Sequence, residues 1–246
     1  MYGQGRYNRV AVLTSGGLDS LVLLDELARK YATVFPIYIR GGSAWERAEL
    51  HWLKRFLYDL PHRSIRPIKI LTNPMSDIDA DHWSVTGNGV PGYYEEDPAC
   101  YIPGRNIMLL AKTAVYCATQ RIEAIAMAQL KGNPFPDSTP SFFRRLQSAL
   151  SLGLKSEIKI ISPYLKLSKI EVIRRGRGLA LHRTFSCMRP VGLTHCGVCT
   201  KCAELRKAFQ ASGVADATRY AAKPPQPLRH QQRGSYARQN HNAQSR

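Results

Sequence analysis

The sequence predicts an α/β fold, a parallel sheet flanked by helices, with a small C-terminal region built around four cysteines. Three observations predict it. Short apolar runs alternate with stretches of helical spacing, and a βαβα order implies parallel strands joined by crossover helices. The first strand–helix junction carries a glycine-rich turn, Ser15-Gly16-Gly17-Leu18-Asp19-Ser20. Near the C-terminus, Cys187, Cys196, Cys199 and Cys202 gather in a short stretch.

Taken in order, Val10-Ala11-Val12-Leu13 reads as the first strand, and Leu21-Val22-Leu23-Leu24 through Leu27-Ala28 as the helix after the turn. Residues 33–39 read as a second strand despite Pro36, residues 44–57 as a polar amphipathic helix, and residues 65–71 as a third strand. Residues 72–101 are irregular and rich in Asp, Pro and Gly. Connections of that length are usually functional or mobile, so a lid or an oligomer contact is expected there. Residues 106–120 carry Leu109, Leu110, Thr113, Ala114 and Cys117 at helical spacing. A short buried strand over 124–128, a helix over 141–152, a strand over 158–161 and a helix over 168–175 complete the alternation. The expected division is an α/β nucleotide-binding domain over 1–180, a metal-binding helical appendage over 181–222, and a basic tail over 223–246.

A strand, a glycine-rich turn and a helix in that order make a phosphate cradle. The glycines let the backbone approach an anion, and the helix N-terminus presents unpaired N–H groups to it. Ser15, Ser20 and the turn backbone are donors, and Asp19 is a candidate Mg²⁺ ligand bridging phosphates. The bland reading is a tight turn capped by Asp19 or Ser20. Serines on both sides and the acid at the first βα junction favour the nucleotide. No Lys follows the glycines, so this is not the GxxxxGK[ST] loop.

At 246 residues and 44% hydrophobic, the chain is long enough for one substantial core. It shows neither a signal peptide nor the roughly 18 consecutive apolar residues that a membrane span needs. A cytoplasmic protein without a membrane partner is therefore expected, whose six cysteines serve metal more than disulfides. The formal charge of +17 attracts anions, among them ATP, nucleic acid and acidic small molecules. Lys223, Arg229, Arg233, Arg238 and Arg246 bring five of those charges to a tail without a carboxylate. That tail reads as disordered, either solvated or an arm contacting tRNA.

The cysteines follow C-x8-C-x2-C-x2-C, and the x2 spacing turns paired thiolates back onto one ion, with Gly197 freeing the backbone. Four thiolates suit a closed tetrahedral Zn²⁺ site; an iron–sulfur cluster is the competing occupant. His195 reads as an ordinary histidine beside the site or on the surface, or as a substitute ligand. Cys100 and Cys117 read as ordinary thiols, although a sulfur-carrying role for a partly exposed cysteine would fall to Cys100.

The Ser-Gly-Gly-Leu-Asp-Ser turn resembles the loop of the PP-loop ATP pyrophosphatases. Together with Tyr101-Ile102-Pro103-Gly104-Arg105-Asn106 and the cysteine spacing, it resembles the 7-cyano-7-deazaguanine synthase family over about residues 9–220. Pro136-Asp137 with Pro140 and Phe142, and Leu167-Ser168-Lys169-Ile170-Glu171, look like further family segments. The resemblance implies an adenine-nucleotide α-hydrolase-like (Rossmann-like) fold and a ligase that consumes ATP. In that family the carboxylate of 7-carboxy-7-deazaguanine is adenylated and amidated by ammonia. The amide is then activated by a second ATP and dehydrated to the nitrile used for queuosine-type bases. It also implies a homodimer, as in many members. On this reading Ser15, Gly16, Gly17, Leu18, Asp19 and Ser20 hold pyrophosphate and Mg²⁺. Arg105 contacts phosphate or substrate, and Asn106 contacts substrate or caps its helix. Lys169 contacts phosphate or faces solvent, and Asp137 reads a guanine-like N–H edge or stabilises a turn.

The chain departs from the family where the deazapurine is read. Ile39-Arg40-Gly41-Gly42-Ser43-Ala44-Trp45 stands in place of a Tyr-Gly-Gln-Arg-His-like segment, though Glu49-Leu50 matches the helix that follows. Lys131-Gly132-Asn133 replaces acidic and aromatic residues, and Ser138-Thr139 replaces Cys-Arg. These changes leave two other readings: a paralogue adenylating a tRNA base or a protein terminus, and a nucleotide-binding regulator without turnover.

Overall fold

The computed structural model describes residues 8–226. Five parallel strands form one sheet, β1 (Arg9–Leu13), β2 (Thr33–Arg40), β3 (Lys69–Thr72), β4 (Ala124–Ala126) and β5 (Lys159–Ile161), in the order β3-β2-β1-β4-β5. The helices are α1 (Leu18–Ala28), α2 (Glu46–Asp59), α3 (Trp83–Thr86), α4 (Arg105–Gln120), α5 (Pro140–Leu154), α6 (Lys169–Arg175) and α7 (Thr200–Ser212). The expected α/β class holds. The chain leaves β1 towards β2 and β3, then returns to place β4 on the other side of β1. Such a reversal opens a crevice at the carboxyl ends of the two strands it separates.

Each face of the sheet is sealed by its own apolar cluster. Val10, Val12 and Val34 pack with Leu21 and Leu24 of α1, Leu53 and Phe56 of α2, Ile173 of α6, and Leu205 and Phe209 of α7. On the opposite face Ala11, Ile37, Ile125 and Ile160 meet Leu110 and Ala114 of α4 and Phe143 of α5. The last described helix, α7, is thus built into the same core as the first.

The third strand is shorter than the expected 65–71. Ile65 makes one bridge to Val34, and regular pairing starts only at Ile37 with Lys69. Pro67 has no N–H to give the ladder. Pro36 lies in the same interruption, which is why a proline is tolerated inside β2. The expected helix boundaries shift by a few residues; the helix expected over 44–57 is observed as Glu46–Asp59. No helix among the described residues is long and apolar enough to cross a membrane. The tail beyond residue 226 lies outside the described residues.

Candidate active site

The glycine-rich turn closes β1 and starts α1. Gly16 has φ +77°, and a Cβ there would stand 2.9 Å from the Glu49 carbonyl, so the loop lies directly on α2. The Ser20 hydroxyl donates to the Gly17 carbonyl at 2.9 Å and accepts from the Ser15 N–H at 3.2 Å, bracing the turn from within. The Leu18 side chain is buried in the core, so it can offer a ligand only its backbone. From behind, the Phe185 N–H donates to the Gly16 carbonyl at 2.7 Å.

Two adjoining cavities of about 430 and 200 Å³ meet at this loop and share Ser15, Gly17, Asp19, Glu49, Arg105 and Gln129. The smaller runs over the ends of β1, β2 and β4. The larger is walled by Trp45, Trp83, Phe135 and Phe185, and Trp45 and Trp83 stack at 5.8 Å between ring centroids. Flat rings beside hydrogen-bonding groups suit a planar polar heterocycle.

Charge is concentrated beside the loop. α6 begins with a capping box in which Ser168 accepts from the Glu171 N–H and Glu171 accepts from the Ser168 N–H. That box places Lys169 at the first helical position, and its Nζ reaches Asp19 Oδ2 at 2.5 Å and Glu204 Oε1 at 3.4 Å. Lys201 joins Glu204 and Asp97, each at 2.9 Å, so opposite charges alternate from Asp19 to Asp97. Burial alone would lower the Lys169 ammonium, but Asp19 and Glu204 raise it above its ordinary value, and the cation persists. Burial pushes the Asp19 carboxyl up while Lys169 pulls it back. Burial would also raise Glu204, yet Lys169 and Lys201 hold it down at about 2. Asp19 Oδ1 is buried without a hydrogen-bond partner. An oxygen left unpaired beside a phosphate-type loop is the donor a hard divalent cation takes, so Asp19 fits Mg²⁺.

Behind the loop the four cysteine sulfurs all lie within 4.8 Å of one another, buried. The backbone N–H groups of Cys196, Arg189, Gly197 and Val198 point at sulfur at 3.2–3.4 Å. Gly197 has φ +85°, and a Cβ there would meet the Ala222 carbonyl oxygen at 2.2 Å, so only glycine fits. This knuckle also holds the long connection after β3. Thr200 donates from its hydroxyl to the Gly92 carbonyl at 2.6 Å and from its N–H to Pro91 at 3.1 Å. Trp83, Asp97 and Cys100 of that connection line the larger cavity.

Residues 9–213 match the family model described as queuosine biosynthesis protein QueC. The chain belongs to the QueC family. It is 30% identical over 226 residues to the 7-cyano-7-deazaguanine synthase of Acetivibrio thermocellus, covering 86% of this chain and 97% of the relative. It is 31% identical over 229 residues to the synthase of the same name from Allorhizobium ampelinum, covering 86% and 92%. Among solved structures, the U34-tRNA thiolase NcsA from Methanococcus maripaludis with its [4Fe-4S] cluster aligns at TM-score 0.47 and 14% identity. That alignment covers 87% of this chain and 75% of the thiolase, a distant likeness.

Of the residues singled out in this QueC-family chain, Ser15, Gly17, Asp19, Arg105, Asn106, Asp137 and Lys169 all line the larger cavity. Asp137 is buried, with Oδ2 accepting the Asn106 N–H at 2.9 Å and Oδ1 accepting the Asn106 amide at 3.2 Å. It thereby satisfies one of the free N–H groups at the start of α4. The departures at 131–133 and 138–139 touch each other. The Asn133 side-chain carbonyl accepts from the Ser138 hydroxyl at 2.8 Å and from the Phe135 N–H at 3.0 Å. His195 is buried against Phe185, with Nε2 accepting the Ser186 N–H at 3.3 Å. Burial lowers its pKa to about 4. Cys100 is buried with its thiol pushed up to about 11 by burial, which leaves it unreactive.

Sequence reasoning missed Lys201, Glu204 and Trp83, and named Trp45 and Glu49 only as members of family segments, without a role of their own. A signal for Glu49 existed: it lies four and seven residues before Leu53 and Phe56, on the buried face of an amphipathic helix. Its Oε2 accepts the Tyr38 hydroxyl at 2.7 Å. Burial pushes its carboxyl up to about 7, against the pull of Arg105 and of that hydrogen bond.

Proposed function

We propose that the protein makes a 7-cyano-7-deazaguanine-type nitrile from the corresponding carboxylate, ammonia and ATP, releasing AMP and pyrophosphate. The observation that carries this reading is the junction of the two cavities, where Ser15, Gly17 and the Asp19–Lys169 pair face an aromatic-walled chamber. The smaller cavity takes the nucleotide, its pyrophosphate on the loop N–H groups and the two serines. Asp19 would hold Mg²⁺, which neutralises the leaving pyrophosphate. Lys169, Arg105 and Lys201 add positive charge on the chamber side.

The substrate carboxylate attacks the α-phosphorus, pyrophosphate leaves, and an acyl adenylate forms. Ammonia attacks the acyl carbon, AMP leaves, and the amide remains. The amide oxygen then attacks the α-phosphorus of a second ATP, pyrophosphate leaves and one N–H proton is lost; loss of AMP with the remaining N–H proton leaves the nitrile. No step requires a covalent enzyme nucleophile; the chain aligns the reacting oxygen and phosphorus and shields them from water. The Asn133–Ser138 pair and Lys131, where family members carry other residues, set which ring the chamber accepts.

For the cysteine centre the proposed ion is Zn²⁺, held by Cys187, Cys196, Cys199 and Cys202. Sulfur separations of 3.5, 3.9 and 4.0 Å support a single ion, since metal–sulfur bonds of about 2.3 Å give tetrahedral edges of about 3.8 Å. A cluster with one thiolate on each of several irons spreads its sulfurs farther. The ion's role is to tie the strap at Gly92, the knuckle and the phosphate loop together.

The test is AMP and pyrophosphate release from ATP and Mg²⁺, with 7-carboxy-7-deazaguanine and ammonium added singly and together. Release that depends on the carboxylate, with the nitrile seen by mass spectrometry, is expected. An ATP-binding, metal-loaded protein that releases nothing with this acid would overturn the reading.

A further inference from the structure

A third, much smaller cavity opens off the junction, about 40 Å³ in volume, lined by Tyr38, Gly41, Glu46, Glu49, Ile102 and Arg105 among others. It has room for one molecule of the size of water or ammonium, whose share of liquid volume is about 30 Å³. Two of its walls are carboxylates from one turn of α2, both at most 8% exposed. They differ in what they have left to give. Glu46 is committed, with Oε1 accepting from Arg40 Nε at 2.7 Å and Oε2 from the Gly42 N–H at 3.0 Å. Glu49 binds only the Tyr38 hydroxyl through Oε2. Its Oε1 has no hydrogen-bond partner among the described residues, and Glu49 lines all three cavities.

We propose that this cavity holds ammonium and that Glu49 takes its proton, delivering ammonia to the acyl adenylate formed at the junction. The inference rests on the adenylation reading above and adds to it the source and activation of the nucleophile. In the step, an N–H bond of ammonium breaks, its electron pair stays on nitrogen and its proton passes to the Glu49 carboxylate. The freed pair forms the C–N bond, the bond from the acyl carbon to the AMP oxygen breaks, and the second proton leaves the adduct for solvent. A carboxylate matched to neutral pH is the right partner for such a transfer. The groups facing Glu49 are Tyr38 of β2, Glu46 of α2 and Arg105 of α4, with Arg40 behind Glu46. Arg105 acts through space, making no ion pair with Glu49, so the free oxygen stays available.

Hydroxylamine supplies the test because it is already uncharged at neutral pH and needs no base. With 7-carboxy-7-deazaguanine as the acid, ATP–pyrophosphate exchange reports adenylation, and amide and hydroxamate report the two nucleophiles. In Glu49→Gln the ratio of amide to hydroxamate falls about 100-fold, the lower end of general-base contributions. The wild-type amide rate levels off above about pH 7, whereas that of the variant keeps climbing with free ammonia. Gly41→Val, which fills space where a Cβ's nearest neighbour is the Asn73 carbonyl oxygen at 4.0 Å, raises KM for ammonium relative to KM for ATP about five-fold, one hydrogen bond's worth. An unchanged amide-to-hydroxamate ratio in a folded Glu49→Gln protein overturns the inference while leaving adenylation standing. Absence of acid-dependent exchange in the wild type overturns both.

Discussion

Gly16→Ala separates the backbone demands of the phosphate loop from its chemistry. At φ +77° an alanine pays about 1–2 kcal/mol for the left-handed conformation. Its methyl would also lie 2.9 Å from the Glu49 carbonyl oxygen and 3.2 Å from Glu49 Cγ. Overpacking of that kind adds about 1–3 kcal/mol, for a total of about 2–5 kcal/mol. For a domain of ordinary stability, about 5–15 kcal/mol, this is a large fraction. Urea unfolding reads it as a lower midpoint at an unchanged slope. Gly17→Ala is the control. Gly17 has φ −70°, and its methyl would meet the Ser15 hydroxyl at 3.2 Å, that of Ser186 at 3.7 Å and the Phe185 carbonyl oxygen at 3.8 Å. Its stability changes by about 0.5 kcal/mol, but the methyl crowds the Ser15 hydroxyl of the phosphate loop, and ATP affinity falls about ten-fold or more. A Gly16→Ala protein with the wild-type urea midpoint would refute the backbone argument. A Gly17→Ala protein that binds ATP as tightly as the wild type would refute the phosphate assignment.

Other perturbations probe the surrounding groups. Lys169→Met leaves Asp19 without its cation while Glu204 keeps Lys201; stability drops by about 2–4 kcal/mol, and pyrophosphate release falls about 100-fold or more at saturating ATP. Asp137→Ala strands the Asn106 N–H and costs about 1–3 kcal/mol in urea unfolding. Cys202→Ser, or chelation of the wild type, abolishes stoichiometric metal by elemental analysis and exposes the connection around Gly92 to limited proteolysis. For Glu49, the unfolded carboxyl titrates near 4.5 and the folded one at about 7, so the folded state binds the extra proton. The destabilisation is absent below about pH 4.5, grows as pH rises to 7, and reaches about 3 kcal/mol above it. Glu49→Gln therefore gains that much stability at pH 8 relative to pH 4, read by urea unfolding at both values.

What the sequence made legible were features set by local pattern. The alternation of elements, the loop at the end of β1 and the cysteine spacing each depend on neighbours a few residues away. Strand order is different: that β4 pairs with β1 is a property of the packed sheet, and periodicity carries no trace of it. The third strand was overextended because the apolar run around Pro67 outweighed the missing N–H. Asp137 and Asn106 were read separately, yet their hydrogen bonds span 31 residues. Likewise Asn133 and Ser138 looked like two unrelated departures until a turn brought them to 2.8 Å. Glu204 was invisible because its partner Lys169 lies on another helix, 35 positions earlier in the chain.

The hydrogen bond from Phe185 to Gly16 has a consequence in time as well as space. Its two ends are 169 residues apart in the chain. At about 5–20 residues per second, a ribosome spends on the order of ten to thirty seconds between them. For most of that interval the nascent loop lacks its Lys169 partner, and throughout it lacks its rear brace and the knuckle behind it. The loop thus reaches its braced form only after the knuckle has been made, and a message truncated before the knuckle yields a product whose loop lacks that support.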